Sequence, residues 1–363
     1  MVEINQRSLR DVDWLLLLAP AALTIFGCIG IASTAPGTEL KKQIIALVIG
    51  VAAATVVMFT DYRKIILNVA PFFYGACMLM LVLVLFFGAE VNGNKAWLHI
   101  PGLPSIQPSE FAKVATILML SRYMARYRSG SLTIKDMAIM AGIVIAPIIL
   151  IALEHDTGTM LTFGAILGVF YFLGGLRKIF VAAGLIAVVV GLIGVYPHLK
   201  GYQRERIDVI IHPEKADPRG FAYQTIQSVI AVGSGGVMGK GIGHGTQGRL
   251  GFLPFAWTDF IAAVVGEEMG FAGILVVMVL YLILIWRLIS IALGARDRAG
   301  ALMVMGFVSL ITFHILCNLG MVVGIMPIMG IPLPLMSSGG TAVISMFLGV
   351  GLALSVRMRR FVN

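Results

Sequence analysis

Apolar runs of about 20 residues, each long enough to cross a bilayer core as a helix, recur about ten times along this chain. They cover residues 14–34, 43–59, 70–88, 108–124, 137–153, 157–175, 178–197, 259–286, 299–324 and 338–356. A chain built this way must satisfy nearly all of its backbone polar groups inside helices, because lipid offers no partner. Of its 363 residues, 59% are hydrophobic and 12% charged, whereas a soluble domain has about 45–50% apolar and about 25% charged residues. The predicted fold is an all-α polytopic membrane protein, and a soluble globular enzyme is excluded. The first run follows Arg7 and Arg10 as a signal peptide would, but its length predicts an uncleaved helix. Cys28, Cys77 and Cys317 each lie inside an apolar run, which excludes a disulfide framework and a Cys-rich metal site.

The net charge of +9 is a matter of topology rather than a nucleic-acid footprint. With the N-terminus in the cytoplasm, sixteen Lys and Arg fall on the inner side and only Lys41, Lys42 and Lys95 in short outer loops. Seven more lie in residues 198–258, a loop long enough to cross regardless of charge. The whole chain, 1–363, therefore reads as one membrane domain with both termini inside. Residues 198–258 form a long extracytoplasmic loop between helices 7 and 8. Within that loop, residues 223–232 have the pattern of a short amphipathic helix expected to lie on the membrane surface.

Chemistry-bearing residues gather on the outer side. Glu110 and Lys113 sit three apart at the start of the fourth run, on one helix face. A lone Lys there costs about 2.5 to 3.5 kcal/mol, so the two either pair with each other or line a polar cavity that opens outward. Glu154, His155 and Asp156 form a short outer turn, where Asp156 is of the right type to cap the sixth helix. Nine Gly occur in the nineteen residues from Gly233 to Gly251. Their amides can form an anion nest, with Lys240 and Arg249 as added cations, and a lipid pyrophosphate is the anion that suits an outer face. Asp259 stands at the mouth of the eighth run, either as a helix cap or as a general base with a pKa raised by a dry environment. Glu267 and Glu268 lie about 12 Å deeper by helical rise and need partners there. The last outer loop, Pro327 to Gly340, holds three Pro within Pro327–Pro334 and cannot be a continuous helix. It reads as a re-entrant segment flooring the outer cavity, with Ser338 at its end and Asn318 supplying an amide. Gly266, Gly270, Ala272 and Gly273 on the eighth run, with Gly306 on the ninth, offer small-residue faces for internal packing or for a partner helix.

In this order the segments resemble the SEDS family of polytopic cell-wall proteins (shape, elongation, division and sporulation). The resemblance covers nearly the whole chain. It rests on Gln107-Pro108-Ser109-Glu110-Phe111-Ala112-Lys113, Tyr202-Gln203-Arg204-Glu205-Arg206-Ile207, Asp217-Pro218, Tyr223-Gln224-Thr225-Ile226-Gln227-Ser228, Ala231-Val232-Gly233-Ser234-Gly235-Gly236, Gly239-Lys240-Gly241, Thr258-Asp259-Phe260-Ile261 and the Pro327–Gly340 loop. His244-Gly245-Thr246-Gln247 points to the elongation branch rather than the division branch.

The resemblance implies a peptidoglycan glycosyltransferase that polymerises lipid II into a growing glycan strand on the outer face of the cytoplasmic membrane. It also implies work with a class B penicillin-binding protein and the elongation machinery. Asp259 then matches the family's outer-loop aspartate and is the expected catalytic base. Glu110, Lys113, Asp156, Arg204, Arg206, Lys240 and Ser338 are the expected substrate contacts. No metal-ligand cluster is visible, so a divalent cation, Mg or Mn, is expected only with the substrate pyrophosphate. One departure is clear: Phe255, Ala256 and Trp257 stand where the family usually has a Glu and a His. The rival readings are a flippase for the lipid-linked precursor, a division-type polymerase and a non-catalytic scaffold.

Overall fold

The computed structural model of the chain describes residues 12–35, 37–91, 94–99, 105–125, 132–176 and 222–360. The seventh apolar run, 178–197, and the loop residues up to 221 lie outside the described residues.

Each described apolar run is a helix. α1 is Trp14–Thr34, α2 Thr38–Phe59, and α3 Tyr62–Phe87, with one π turn at Ile65–Val69. A short hairpin follows, β1 Ala89–Val91 and β2 Asn94–Trp97, paired antiparallel. The sequence patterning had no strand signal there. Then come α4 Pro108–Met124, α5 Ile134–Leu153 and α6 Thr157–Leu173. After the undescribed segment stand α7 Ala222–Ser234, α8 Ile261–Leu293, α9 Arg298–Val322 and α10 Gly340–Met358.

The burial pattern sorts these helices into a core and a lipid-facing ring. The spans of α9 and α10 are 72% and 78% buried, against 22% for α3 and 28% for α5. An exposed apolar face such as Phe72, Phe86 and Phe87 suits a protein whose solvent is hydrocarbon. α4 is buried nearly all round, which is why its Glu110 and Lys113 need partners inside the protein. Small residues let the core helices approach closely: a methyl at Gly351 would stand 2.7 Å from the Ala54 carbonyl oxygen, so α10 lies directly on α2. Asp13 caps α1 and also pairs with Arg287 of α8, tying the start of the first helix to the end of the eighth.

The pattern of 259–286 predicts one continuous helix, but α8 is broken. Gly270 has φ 66° and ψ −163°, and the glycine-rich loop is spliced into the break. Phe271 and Ala272 donate their N–H groups to the carbonyls of Gly236 and Val237, at 2.9 and 3.0 Å. In return Lys240 and Gly241 donate to the carbonyls of Glu267 and Glu268, at 3.0 and 2.9 Å. The groups freed by the break are thus satisfied by the loop, as lipid-depth backbone requires. Gly266 and Gly270 of α8's small-residue face are consumed the same way, whereas Gly273 meets only side chains of its own helix. Gly266 packs on Val232 of α7, Gly270 on Gly239 and Val237, and Gly306 of α9 on Ile117 and Phe170. These glycines serve internal packing rather than an open partner face. α7 likewise docks on α9, with the Ser228 hydroxyl donating to the Val322 carbonyl at 2.8 Å. Its Ile226, Val229 and Ile230 side remains exposed, as do Gly233 and Ser234 at its end.

Candidate active site

The Pro327–Gly340 segment is non-helical up to Gly339, so its carbonyls need side-chain donors. They come from three helices. Gln43 of α2 donates to Leu335 and Ser337 oxygens at 3.3 and 3.1 Å, and Tyr281 of α8 donates to the Pro334 oxygen. From α9, His314 Nδ1 meets the Pro332 oxygen at 3.1 Å and Asn318 Nδ2 the Ile331 oxygen at 2.8 Å. The expected break in helix is there, and what holds the segment is visible: polar side chains set in apolar helices replace the missing backbone partners.

This loop grips the approach to α8. Ser338 N–H donates to the Trp257 oxygen at 2.8 Å, Ser337 Oγ to the Thr258 oxygen at 2.6 Å, and Asn318 Nδ2 to the Asp259 oxygen at 2.7 Å. Three consecutive residues leading to the helix are therefore fixed by their main chain, and the Asp259 side chain is left over. It does not cap α8. Phe260 is the N-cap, with no side-chain hydrogen bond, and the Thr258 hydroxyl turns back to the Phe255 oxygen. Among the described residues the Asp259 carboxylate has no hydrogen-bond partner. It stands beside Gly330, whose φ of +68° leaves no side chain, and a methyl there would lie 3.9 Å from Asp259 Oδ2.

Asp259 is half-buried, with part of its surface accessible. Burial, and then the negative charge of Asp156, pushes its carboxyl up to about 6 from 3.8. Asp156 caps α6, accepting from Thr159 N–H at 3.0 Å and Thr159 Oγ at 2.8 Å, and Gln107 reaches it at 3.4 Å. Its own carboxyl is raised by burial, against the opposing pull of Thr159 and Lys113. The cap reading of Asp156 is thus realised, and its charge also acts on Asp259. Next to it Glu154 is fully buried with neither oxygen bonded among the described residues. Burial, helped by Asp156, raises its carboxyl to about 8.

Glu110 and Lys113 form a buried ion pair at 2.8 Å. Lys113 Nζ also lies 3.4 Å from His314 Nε2, and Ser345 reaches Glu110 at 3.4 Å. His314 was not legible as a site residue; the available signal was a lone His inside an apolar run, four residues before Asn318. Gln43 and Tyr281 were missed for the same reason, since their partners are carbonyls of a loop remote in sequence. Ser338 opens onto a cavity of about 430 Å³ lined also by Thr258, Glu39, Lys42, His99 and Phe111, and donates to Glu39 at 3.0 Å.

The FtsW/RodA/SpoVE family, described as cell cycle protein, matches residues 16–361. The chain belongs to this family. Peptidoglycan glycosyltransferase MrdB of Escherichia coli K12 is 38% identical over 98% of this chain and 97% of its own length. Among solved structures, a chain from a peptidoglycan synthase complex coordinating polymerization and crosslinking has TM-score 0.83 at 33% identity, covering 97% of this chain and 99% of that one. The rod shape determining protein RodA of Thermus thermophilus has TM-score 0.72 at 28% identity, covering 97% of this chain and 98% of that one.

Other expected residues of this FtsW/RodA/SpoVE chain are engaged elsewhere. The glycine-rich loop does make an anion nest, but the anion is the protein's own Glu267. That carboxylate accepts from Lys240 Nζ at 2.6 Å, from Thr246 N–H and Oγ at 2.8 and 2.9 Å, and from Gln247 N–H at 3.1 Å. Arg249 donates to the Gly243 oxygen at 2.8 Å. Glu267 thus pairs with the loop rather than with another helix, whereas Glu268 does reach another helix, through the Ser33 hydroxyl of α1. Arg204 and Arg206 lie outside the described residues. Phe255, at the family's departure point, has φ 57° and turns the chain so that Thr258 and Phe260 N–H groups both reach its carbonyl.

Proposed function

We propose that this protein is an elongation-type peptidoglycan glycosyltransferase that joins lipid II units into glycan strands on the outer face of the cytoplasmic membrane. The observation that carries this reading is Asp259: a carboxylate at a helix entrance that caps nothing, held by its backbone, with its oxygens free of partners among the described residues. Such a group is a base in waiting.

In the reaction, Asp259 takes the proton from the 4-hydroxyl of one lipid-linked disaccharide. The oxygen bonds to the anomeric carbon of the growing chain, the bond from that carbon to pyrophosphate breaks, and undecaprenyl pyrophosphate leaves. One base with an activated leaving group suits inversion at that carbon. Lys113, with the Arg204 and Arg206 expected from the family resemblance, offsets charge on the departing phosphates. Lys240 is committed to Glu267 as Lys113 is to Glu110, so each contributes through its remaining N–H groups or by opening its pair. Among the described residues no three His, Cys, Asp or Glu side chains converge at metal-binding spacing. A protein-built cage for Mg or Mn does not fit them, and a divalent cation would be held through the substrate's own phosphates.

A flippase would need charges free at membrane depth, and the two candidates, Glu267 and Glu268, are both engaged. The likeness to a chain of a peptidoglycan synthase complex supports a partner, for which a class B penicillin-binding protein is our reading. Purified protein given lipid II, with and without that partner, tests the function. Polymer is expected from the wild type and none from Asp259→Asn. A folded wild type that moves lipid II across vesicles but makes no polymer would replace this reading with transport.

A further inference from the structure

One buried imidazole lies between the charge pair and the loop that holds the base. His314 is 2% exposed and contacts three elements. Its Nδ1 faces the Pro332 carbonyl at 3.1 Å, and its Nε2 faces Lys113 Nζ of α4 and Thr162 Oγ of α6, each at 3.4 Å. A carbonyl only accepts, so Nδ1 carries the ring proton and Nε2 presents its lone pair. Two donors compete for that lone pair. Thr162 has one hydroxyl proton and an alternative acceptor, the Gly158 oxygen at 3.3 Å. Lys113 has three protons, of which Glu110 takes one at 2.8 Å. The lone pair therefore serves the ammonium. One turn further along α9, Asn318 bonds the neighbouring Ile331 carbonyl and the Asp259 carbonyl. A continuous series of contacts runs from Lys113 through His314, Pro332, Ile331 and Asn318 to Asp259.

We propose that His314 is a positioning residue: it aims the Lys113 ammonium by its Nε2 lone pair and fixes that aim relative to Asp259 by its Nδ1–H bond to the re-entrant loop. The inference rests on the glycosyltransferase reading of the same site. A Lys side chain has several rotatable bonds, and one anion partner fixes the distance of its head but not its direction. The second, neutral partner sets the direction without adding charge. His314 itself touches no substrate in this scheme.

The test is steady-state polymerisation of lipid II by three variants. His314→Gln keeps a donor for Pro332 and an acceptor for Lys113 on a side chain of similar reach. His314→Asn has the same groups one methylene short, and His314→Leu has the volume without either group. If the role is positioning, His314→Leu and His314→Asn lose about tenfold or more in kcat, with KM changed less than about twofold, since misplacing a transition-state charge by about 1 Å costs up to about a hundredfold. His314→Gln recovers to within about threefold of wild type. Unfolding temperature and elution in detergent accompany each measurement. Should His314→Leu fail to fold, the Gln and Asn variants still decide, because they differ only in reach. Equal rates for Gln and Asn, or a folded Leu variant within about twofold of wild type, would overturn the proposal. A wild type that makes no polymer overturns the functional reading and takes this inference with it, a result distinct from either of those.

Discussion

At the residue scale, what singles out Asp259 is what its side chain leaves undone. An Asp at a helix start ordinarily accepts from a first-turn amide, yet here the cap position falls on Phe260 and the carboxylate stays unspent. Its raised carboxyl has two consequences. Activity should rise with pH through about 6 as the base ionises, which a pH series of polymerisation rates will read. Stability should move the other way. Between 3.8 and about 6 the folded state holds a proton that the unfolded state has released, so this group's contribution falls as pH rises. Asp259→Asn should therefore abolish polymer while unfolding at the same or a higher temperature at pH 7.5, and a large drop in unfolding temperature would mean the residue is structural. Glu110 and Lys113 behave oppositely, because removing one member of a buried pair strands a charge at a cost of about 3–5 kcal/mol. Glu110→Gln or Lys113→Met alone should lower membrane yield sharply, and the double variant should restore yield but not polymerisation. Recovery of both would make the pair purely structural. These three residues were legible in the sequence because a charge in an apolar run is anomalous wherever it folds. His314 and Gln43 were not, because the loop carbonyls they meet are distant in sequence, by 18 residues for His314 and by 292 or more for Gln43.

At the element scale, the decisive feature is the splice of the glycine-rich loop into α8. Nine Gly in nineteen residues read as an anion nest or as plain flexibility, and neither reading announced a loop held against α8. The break at Gly270 had no sequence signal, since a Gly in an apolar helix is common in membranes. Two neighbouring glycines test this hold. A methyl at Gly235 would stand 1.9 Å from the Gly266 oxygen, and at Gly233, exposed within α7, it would meet nothing within 4 Å. Gly235→Ala should lower the unfolding temperature and the polymerisation rate together, because α8 begins two residues past Asp259. Gly233→Ala should be neutral or stabilising by roughly 0.5–1 kcal/mol. Equal effects would mean that the loop is not held against α8. The re-entrant segment, by contrast, was legible from its prolines, which lack the amide that a helix needs.

At the scale of the whole molecule, topology follows from charge asymmetry, and a reporter can test it. A phosphatase active only outside the cytoplasm should be active when fused within the outer turn at His155 and inactive when fused after Arg360. The reverse pattern would invert the orientation and put Asp259 on the wrong face for a lipid-linked outer substrate. That each described apolar run is a helix, and in what order, was readable beforehand, although α3 and α8 run past their apolar runs, because burying about 20 apolar residues in lipid depends on each segment's own composition. What the tertiary structure alone decided is who satisfies whom. It turned the glycine nest on Glu267, used small residues of α8 and α9 for internal packing, and set a histidine between Lys113 and the re-entrant loop. Crossing a membrane is a property of a segment and its solvent, whereas a hydrogen-bond partner brought from a distant part of the chain exists only once the helices have packed.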